Sequence, residues 1–258
     1  MEAQRLKAGQ GWQWIKQGYA LFTKAPLLWI VFLLILFAAA VALSNVPVVG
    51  DPLVSLLMPV IVAGLMAGCR SLQQGGELEL MHLFSGFKQH TSSLVALGGV
   101  SLIGQFLILG AMMLAGGGTL VDLMTSGQPD PDPEVLMAAL ASGGFAVMLG
   151  IVLFSILMMA MQYAPMLVFF NNATPVQAMK LSLRAYTHNV MPMLVYVLTF
   201  SFLAILASLP MFLGWLLLMP LVFTSLYASY CDIFPMVQET ASSPLEGDVV
   251  SSDDQANS

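Results

Sequence analysis

Six apolar runs leave this chain few ways to fold. Each is roughly 17–25 residues long, the length a helix needs to cross the hydrocarbon core of a bilayer. Backbone groups in lipid must be paired within the spanning element, so only helices and closed barrels qualify. The runs are continuous rather than alternating, which selects helices. They predict spans at 27–44, 53–69, 94–114, 145–170, 191–209 and 213–231. Composition agrees: 58% of the 258 residues are hydrophobic and 9% are charged, whereas a soluble domain carries roughly 25% charged residues. The expected fold is therefore all-α, a polytopic membrane protein of six transmembrane helices.

The first run reads as a span rather than a signal peptide. About 26 residues precede it and the run exceeds the roughly 7–15 residues of a signal h-region, although Ala38-Ala39-Ala40 mimics a cleavage site. Orientation follows from charge. Arg5, Lys7, Lys16 and Lys24 precede span one, Arg70 and Lys88 follow span two, and Lys180 and Arg184 follow span four. The opposite loops carry only acidic charges: Asp51, Asp122, Asp130, Asp132 and Glu134. The positive-inside rule places the N-terminus in the cytoplasm, and an even number of spans returns the C-terminus there. Cys69 and Cys231 then lie at reducing, cytoplasmic span ends, where no structural disulfide is expected.

Within this frame a unit recurs. Amphipathic segments before spans one, three and five place apolar residues at offsets 0, 3, 7 and 10, on one helical face. These are Trp12, Ile15, Tyr19 and Phe22, then Leu80, Leu83 and Phe87 with His90 in the fourth place, then Val176, Met179, Leu183 and Tyr186. Offset 6 is small in every copy: Gly18, Gly86 and Ser182. Leu57-Met58-Pro59 matches Leu218-Met219-Pro220, and Pro165 sits in span four. Turns from Pro47 to Gly50 and from Pro210 to Gly214 join the first and last hairpins. The reading is three repeats, about 10–72, 76–172 and 174–234, each an interfacial helix followed by a hairpin. The segments are expected to lie flat on the inner leaflet, the third starting at Thr174-Pro175, a helix cap with proline at the first position. Residues 1–235 form the membrane domain. Residues 236–258 are polar and acidic and read as a disordered cytoplasmic tail. The outer stretch Gln128 to Glu134, with alternating prolines, reads as an extended linker.

Chemistry is sparse. No Asp, Glu, Lys, Arg or His falls inside a predicted span, which argues against a proton- or sodium-coupled pump. The intramembrane polar candidates are Gln105, Gln162 and Tyr163. They serve either as interhelical contacts worth about 0.6 kcal/mol each or as a ligand site. Pro59, Pro165 and Pro220 occupy corresponding spans, and broken helices at matched positions either shape a bundle or mark a transport site. Gly64-x-x-x-Gly68 permits close helix contact, within the chain or in a dimer. Cys69, His82, His90, His188, Cys231 and Asp232 share one face but lack metal-ligand spacing. No catalytic motif is present, so neither enzyme nor cofactor is expected, and no basic stretch suggests nucleic acid.

Gly11-Trp12-x-Trp14-Ile15, Pro47-x-x-Gly50, Met58-Pro59, Gly64-x-x-x-Gly68-Cys69-Arg70 and Ala178-x-x-x-Ser182 before Asn189 together resemble an uncharacterised family of bacterial six-span transmembrane proteins. The last segment also looks like the membrane domain attached to some glycerophosphodiester phosphodiesterases, without their catalytic domain. The resemblance covers residues 10–234 and implies a bacterial inner membrane and six helices. Two functions stay open. One is an accessory protein binding lipid, another membrane protein or a second copy of itself. The other is a transporter or channel for an apolar or zwitterionic small molecule or lipid.

Overall fold

The computed structural model describes residues 3–46, 49–125, 132–209, 211 and 213–235. The expected tail, Pro47, Pro210 and Gln128 to Pro131 lie outside them. Among the described residues the chain is all helix, with no strand. Six helices are long and apolar enough to cross a membrane.

A helix α1 (Gln10–Phe22) precedes the first hairpin, α2 (Pro26–Ser44) and α3 (Gly50–Gln73). Pro26 sits in the first turn of α2, where its missing N–H costs nothing. A 3₁₀ turn (Leu80–Phe84) runs into the short α4 (Ser85–Lys88), and His90 at φ 56° turns the chain into α5 (Thr91–Met112). A π turn (Met113–Gly117), with Gly116 at φ 89°, links α5 to α6 (Gly118–Thr125). The return leg is α7 (Pro133–Gln162) and α8 (Ala164–Asn171). Then come α9 (Pro175–His188) and the last hairpin, α10 (Val190–Ser208) and α11 (Trp215–Ile233). Thr174 and Gln177 form a reciprocal cap at the start of α9, as the Thr-Pro pair predicts.

Two expectations need correction. The second amphipathic segment is not one α-helix: a 3₁₀ turn covers its first half, and His90, in a left-handed conformation, ends it. And Pro133 and Glu134 are helical rather than extended. Asp132 caps α7 by accepting the Glu134 N–H at 3.0 Å, so spans three and four run well beyond 94–114 and 145–170.

Each amphipathic segment packs lengthwise along an even-numbered span, rather than lying flat on the leaflet as its sequence suggests. The buried line runs through the small residues and the large apolar ones beside them, and only part of the apolar face is left exposed. In α1, Gly11, Trp14, Ile15, Gly18 and Phe22 are buried, whereas Trp12 and Tyr19 are exposed. A Cβ on Gly18 would stand 2.6 Å from Ser225 Cα of α11, and one on Gly11 would strike the Pro192 carbonyl of α10. In the second segment Gly86 abuts the Val60 carbonyl of α3. In α9 the Ser182 hydroxyl donates to Met159 O at 2.6 Å and accepts the Tyr163 N–H at 3.1 Å. Every offset-6 residue is thus a docking point on a proline-bearing span. Gly64 and Gly68 are used within the chain, against the Leu83 carbonyl and the Leu78 side chain.

The pairing is cyclic in order. The second segment lies on the hairpin before it and α9 lies on α7 and α8, whereas α1 packs on the hairpin α10–α11. Polar contacts fix that closure. Gln10 Nε2 and Trp14 Nε1 donate to Asp232 Oδ2 at 2.6 and 2.9 Å. The Leu6 N–H donates to Asn189 Oδ1, Asn189 Nδ2 donates to Gln4 O, both at 2.8 Å, and the Gln4 N–H donates to Ile233 O at 3.0 Å. The ends of the described chain therefore meet on one side of the bundle. Here α3, α8 and α11 converge on a core that includes Trp14, Trp29, Tyr163, Tyr227, Tyr230 and Phe234, all fully buried.

On the other side the middle hairpin outgrows its neighbours. The helices α2, α10 and α11 have 19 residues each, about 28 Å of rise, whereas Pro133–Asn171 has 39, about 58 Å. Gly98 abuts Leu56, and six residues on, Gly104 abuts the Leu157 side chain. Stepping along antiparallel helices, this puts 104 and 157 level with Gly50, where the first hairpin ends. The excess forms an arm of α6, the π turn and the first half of α7, with a small hydrophobic cluster of its own: Met112, Val121 and Ala146.

Candidate functional site

The proline breaks define the site. Proline at position i cannot donate to the carbonyl at i−4. Pro59 therefore leaves the Ser55 carbonyl without its helical partner, and Pro165 does the same to Met161. All four residues line one cavity of about 390 Å³ between α3, α5, α7 and α8, reached also by Leu226 of α11. Its wall is mostly apolar (Val54, Met58, Val62, Met158), with Ser101, Gln105 and Gln162 as the polar side chains besides Ser55. A volume of a few hundred Å³, apolar walls and a few placed polar groups are the usual make-up of a small-ligand site.

Of the predicted site residues, the structure brings together Gln105, Gln162, Pro59 and Pro165. The two amides do not bond across the spans: Gln105 Nε2 donates to Ser101 Oγ at 3.4 Å, and Gln162 lies on the side of Tyr186 of α9. Tyr163 is a correction. One residue along the helix points its side chain about 100° away, into the core, where its hydroxyl meets Ser229 Oγ at 2.9 Å and Met193 Sδ at 3.8 Å. Its backbone N–H takes the Ser182 hydroxyl instead of Met159 O, so Ser182 is inserted into the break between α7 and α8. Pro220 is buried in α11, away from the cavity, and its carbonyl accepts Thr224 Oγ1 at 3.1 Å.

A second cavity, about 520 Å³, adjoins the first and shares Gln105 with it. It lies in the arm, between α5–α6 and α7, and is lined by Ile108, Leu109, Met112, Leu120, Val147 and Ile151 among others. Nothing in the hydropathy pattern pointed to it. The only trace was Gly143 and Gly150, set where α7 faces Leu120 and Met112.

A probable inner membrane protein of Burkholderia thailandensis is 30% identical over 269 residues, covering 95% of this chain and 98% of the relative. The chain belongs to that family. With six spanning helices it is an integral membrane protein of this inner-membrane family, and the similarity runs through all three hairpins rather than one. No family model and no solved structure matches the chain.

Proposed function

We propose that this inner-membrane protein is a non-enzymatic lipid-binding protein, oriented with both ends in the cytoplasm and built from three repeats of an amphipathic segment and a hairpin. The three docking points at Gly18, Gly86 and Ser182 support the repeat. The gathering of all eight basic residues in and beside the segments at one end supports the orientation. The observation that carries lipid binding is the cavity at Pro59 and Pro165. Its long apolar wall suits a hydrocarbon chain, and Gln105, Gln162 and Ser101 offer uncharged hydrogen bonds to a carbonyl or hydroxyl near the head of that chain. No charged side chain lines it, which disfavours a small ionic solute.

The test is mass spectrometry of lipids retained when the protein is extracted in native-membrane nanodiscs, beside an unrelated six-span control. One lipid class should be enriched over the control and fall to the control level in the Gln105→Leu, Gln162→Leu double variant. A wild-type lipid profile identical to the control overturns the reading. Movement of a lipid across the bilayer is the second reading, favoured by two proline-interrupted spans meeting at the cavity. It calls for faster exchange of a fluorescent phospholipid between leaflets of reconstituted vesicles than in protein-free ones.

A further inference from the structure

The two cavities share Gln105 but differ in where they lie. The inner one is flanked by all three even-numbered spans, and the outer one lies in an arm that only the middle hairpin builds. That arm outruns the membrane. Spanning helices tilt by at most about 40°, and at that tilt a 39-residue helix still covers roughly 45 Å, against about 30 Å of hydrocarbon. Its register to α5, and through α5 to α3, assigns the excess to the side away from the chain ends. Besides Gln105 at its inner end, the outer cleft is lined by apolar residues: Ile108, Leu109, Met112, Leu120, Val147 and Phe154. Small residues on α7 let it close tightly on Met112 and Leu120 of the opposite wall. A Cβ on Gly150 would stand 2.5 Å from Met112 Sδ, and one on Gly143 2.6 Å from Leu120 Cδ1.

We propose that this cleft is a second binding site, one for the hydrocarbon chain of a lipid whose polar end is held at Gln105, and that the arm carries the chain outward past the surface of the bilayer. The proposal rests on the lipid-binding reading and adds to it a direction and a place. A chain held in the arm is covered on two sides by the cleft walls, which stay open along Leu140, Ile151 and Phe154, while its attachment point stays in the bundle. Such an arrangement leads a lipid toward an acceptor on the outer side of the membrane with its chain partly covered. It needs no covalent step.

The experiment is photo-crosslinking of the full chain, reconstituted in vesicles of polar lipids from a bacterial inner membrane. Three single replacements by p-benzoylphenylalanine report three places: Ser101 in the inner cavity, Val147 in the outer cleft, and Phe145, which is 63% exposed on the outside of the arm. After irradiation, adducts at Ser101 and Val147 should be enriched in the same lipid class, while Phe145 yields bulk lipid or nothing. Ile151→Trp, placed at the exposed rim of the cleft, should abolish the Val147 adduct and leave the Ser101 adduct in place. If Val147 gives the same profile as Phe145, or captures a second copy of the chain, the outer site is wrong. Enrichment at Ser101 would then still support the lipid-binding reading, whereas bulk lipid at all three positions removes both.

Discussion

Ser182 occupies a place that no other side chain in the bundle fills in the same way: its hydroxyl bridges Met159 O and the Tyr163 N–H, the two groups a regular helix would join directly. The Tyr163 N–H is buried and Met159 O partly so, and removing the bridge leaves a donor and an acceptor unpaired. Ser182→Ala should cost about 1–3 kcal/mol, read as a lower midpoint in detergent unfolding, and a wild-type midpoint would show that the break is satisfied otherwise. Gly18 is tighter still, because its neighbour is backbone: a Cβ there would come within 2.6 Å of Ser225 Cα. Gly18→Leu should therefore lift α1 from α11 rather than be absorbed by side-chain motion, costing at least about 1–3 kcal/mol. Faster proteolysis within residues 10–22 is the readout, and unchanged cleavage would count against the docking. These small residues were visible in the sequence as a repeated offset. Their partners were not, since a glycine says that something comes close without saying what. Tyr163 shows the opposite failure. Its polarity and its place beside Gln162 suggested a shared site, and the helical turn between consecutive residues separated them.

At the scale of elements, the spans of the first and last hairpins were legible to within a few residues because turn residues bound their apolar runs. The arm was harder. Ala115 to Gly118 looks like the end of a helix, yet three consecutive glycines there are accommodated by a π turn, with Gly116 at φ 89°. Asp132-Pro133, read as part of an extended linker, is the same kind of start as Thr174-Pro175 and opens α7, so the length of the arm was missed. Accessibility tests both the arm and the orientation. In a background lacking both native cysteines, Val135→Cys should react in intact cells with a maleimide that cannot cross the membrane. Glu77→Cys, in the exposed connection after α3, should react only once the membrane is opened. Reversal of the two patterns would invert the topology, and silence of Val135→Cys would place the arm inside lipid. Cys69 cannot report in such work, being wholly buried. Cys231, partly exposed, can.

At the scale of the whole molecule, the fold is held together by what its two ends do to each other. Asn189 and Asp232 grip residues 4–14 with four side-chain hydrogen bonds, to Leu6, Gln4, Gln10 and Trp14. Deleting residues 1–9 removes the Leu6 and Gln4 contacts and leaves Asn189, which is 1% exposed, with unpaired groups. The expected result is a lower unfolding midpoint and a broadened size-exclusion peak, with helix content retained; an unchanged midpoint would show that α1 alone closes the bundle. Nothing in the polar N-terminal stretch announced this grip, because an irregular segment carries no periodicity from which a partner could be inferred.

The same closure sets a clock on biosynthesis. α1 leaves the ribosome long before its seat does, since it has no place to rest until Ser225 and Asp232 have been added. At roughly 5–20 residues per second, that is a wait on the order of 10–40 s, during which Trp14 and Phe22 have no native cover. A chain that stops short of α11 is therefore left with an unclosed bundle and with the face of α1 that holds Trp14 and Phe22 uncovered.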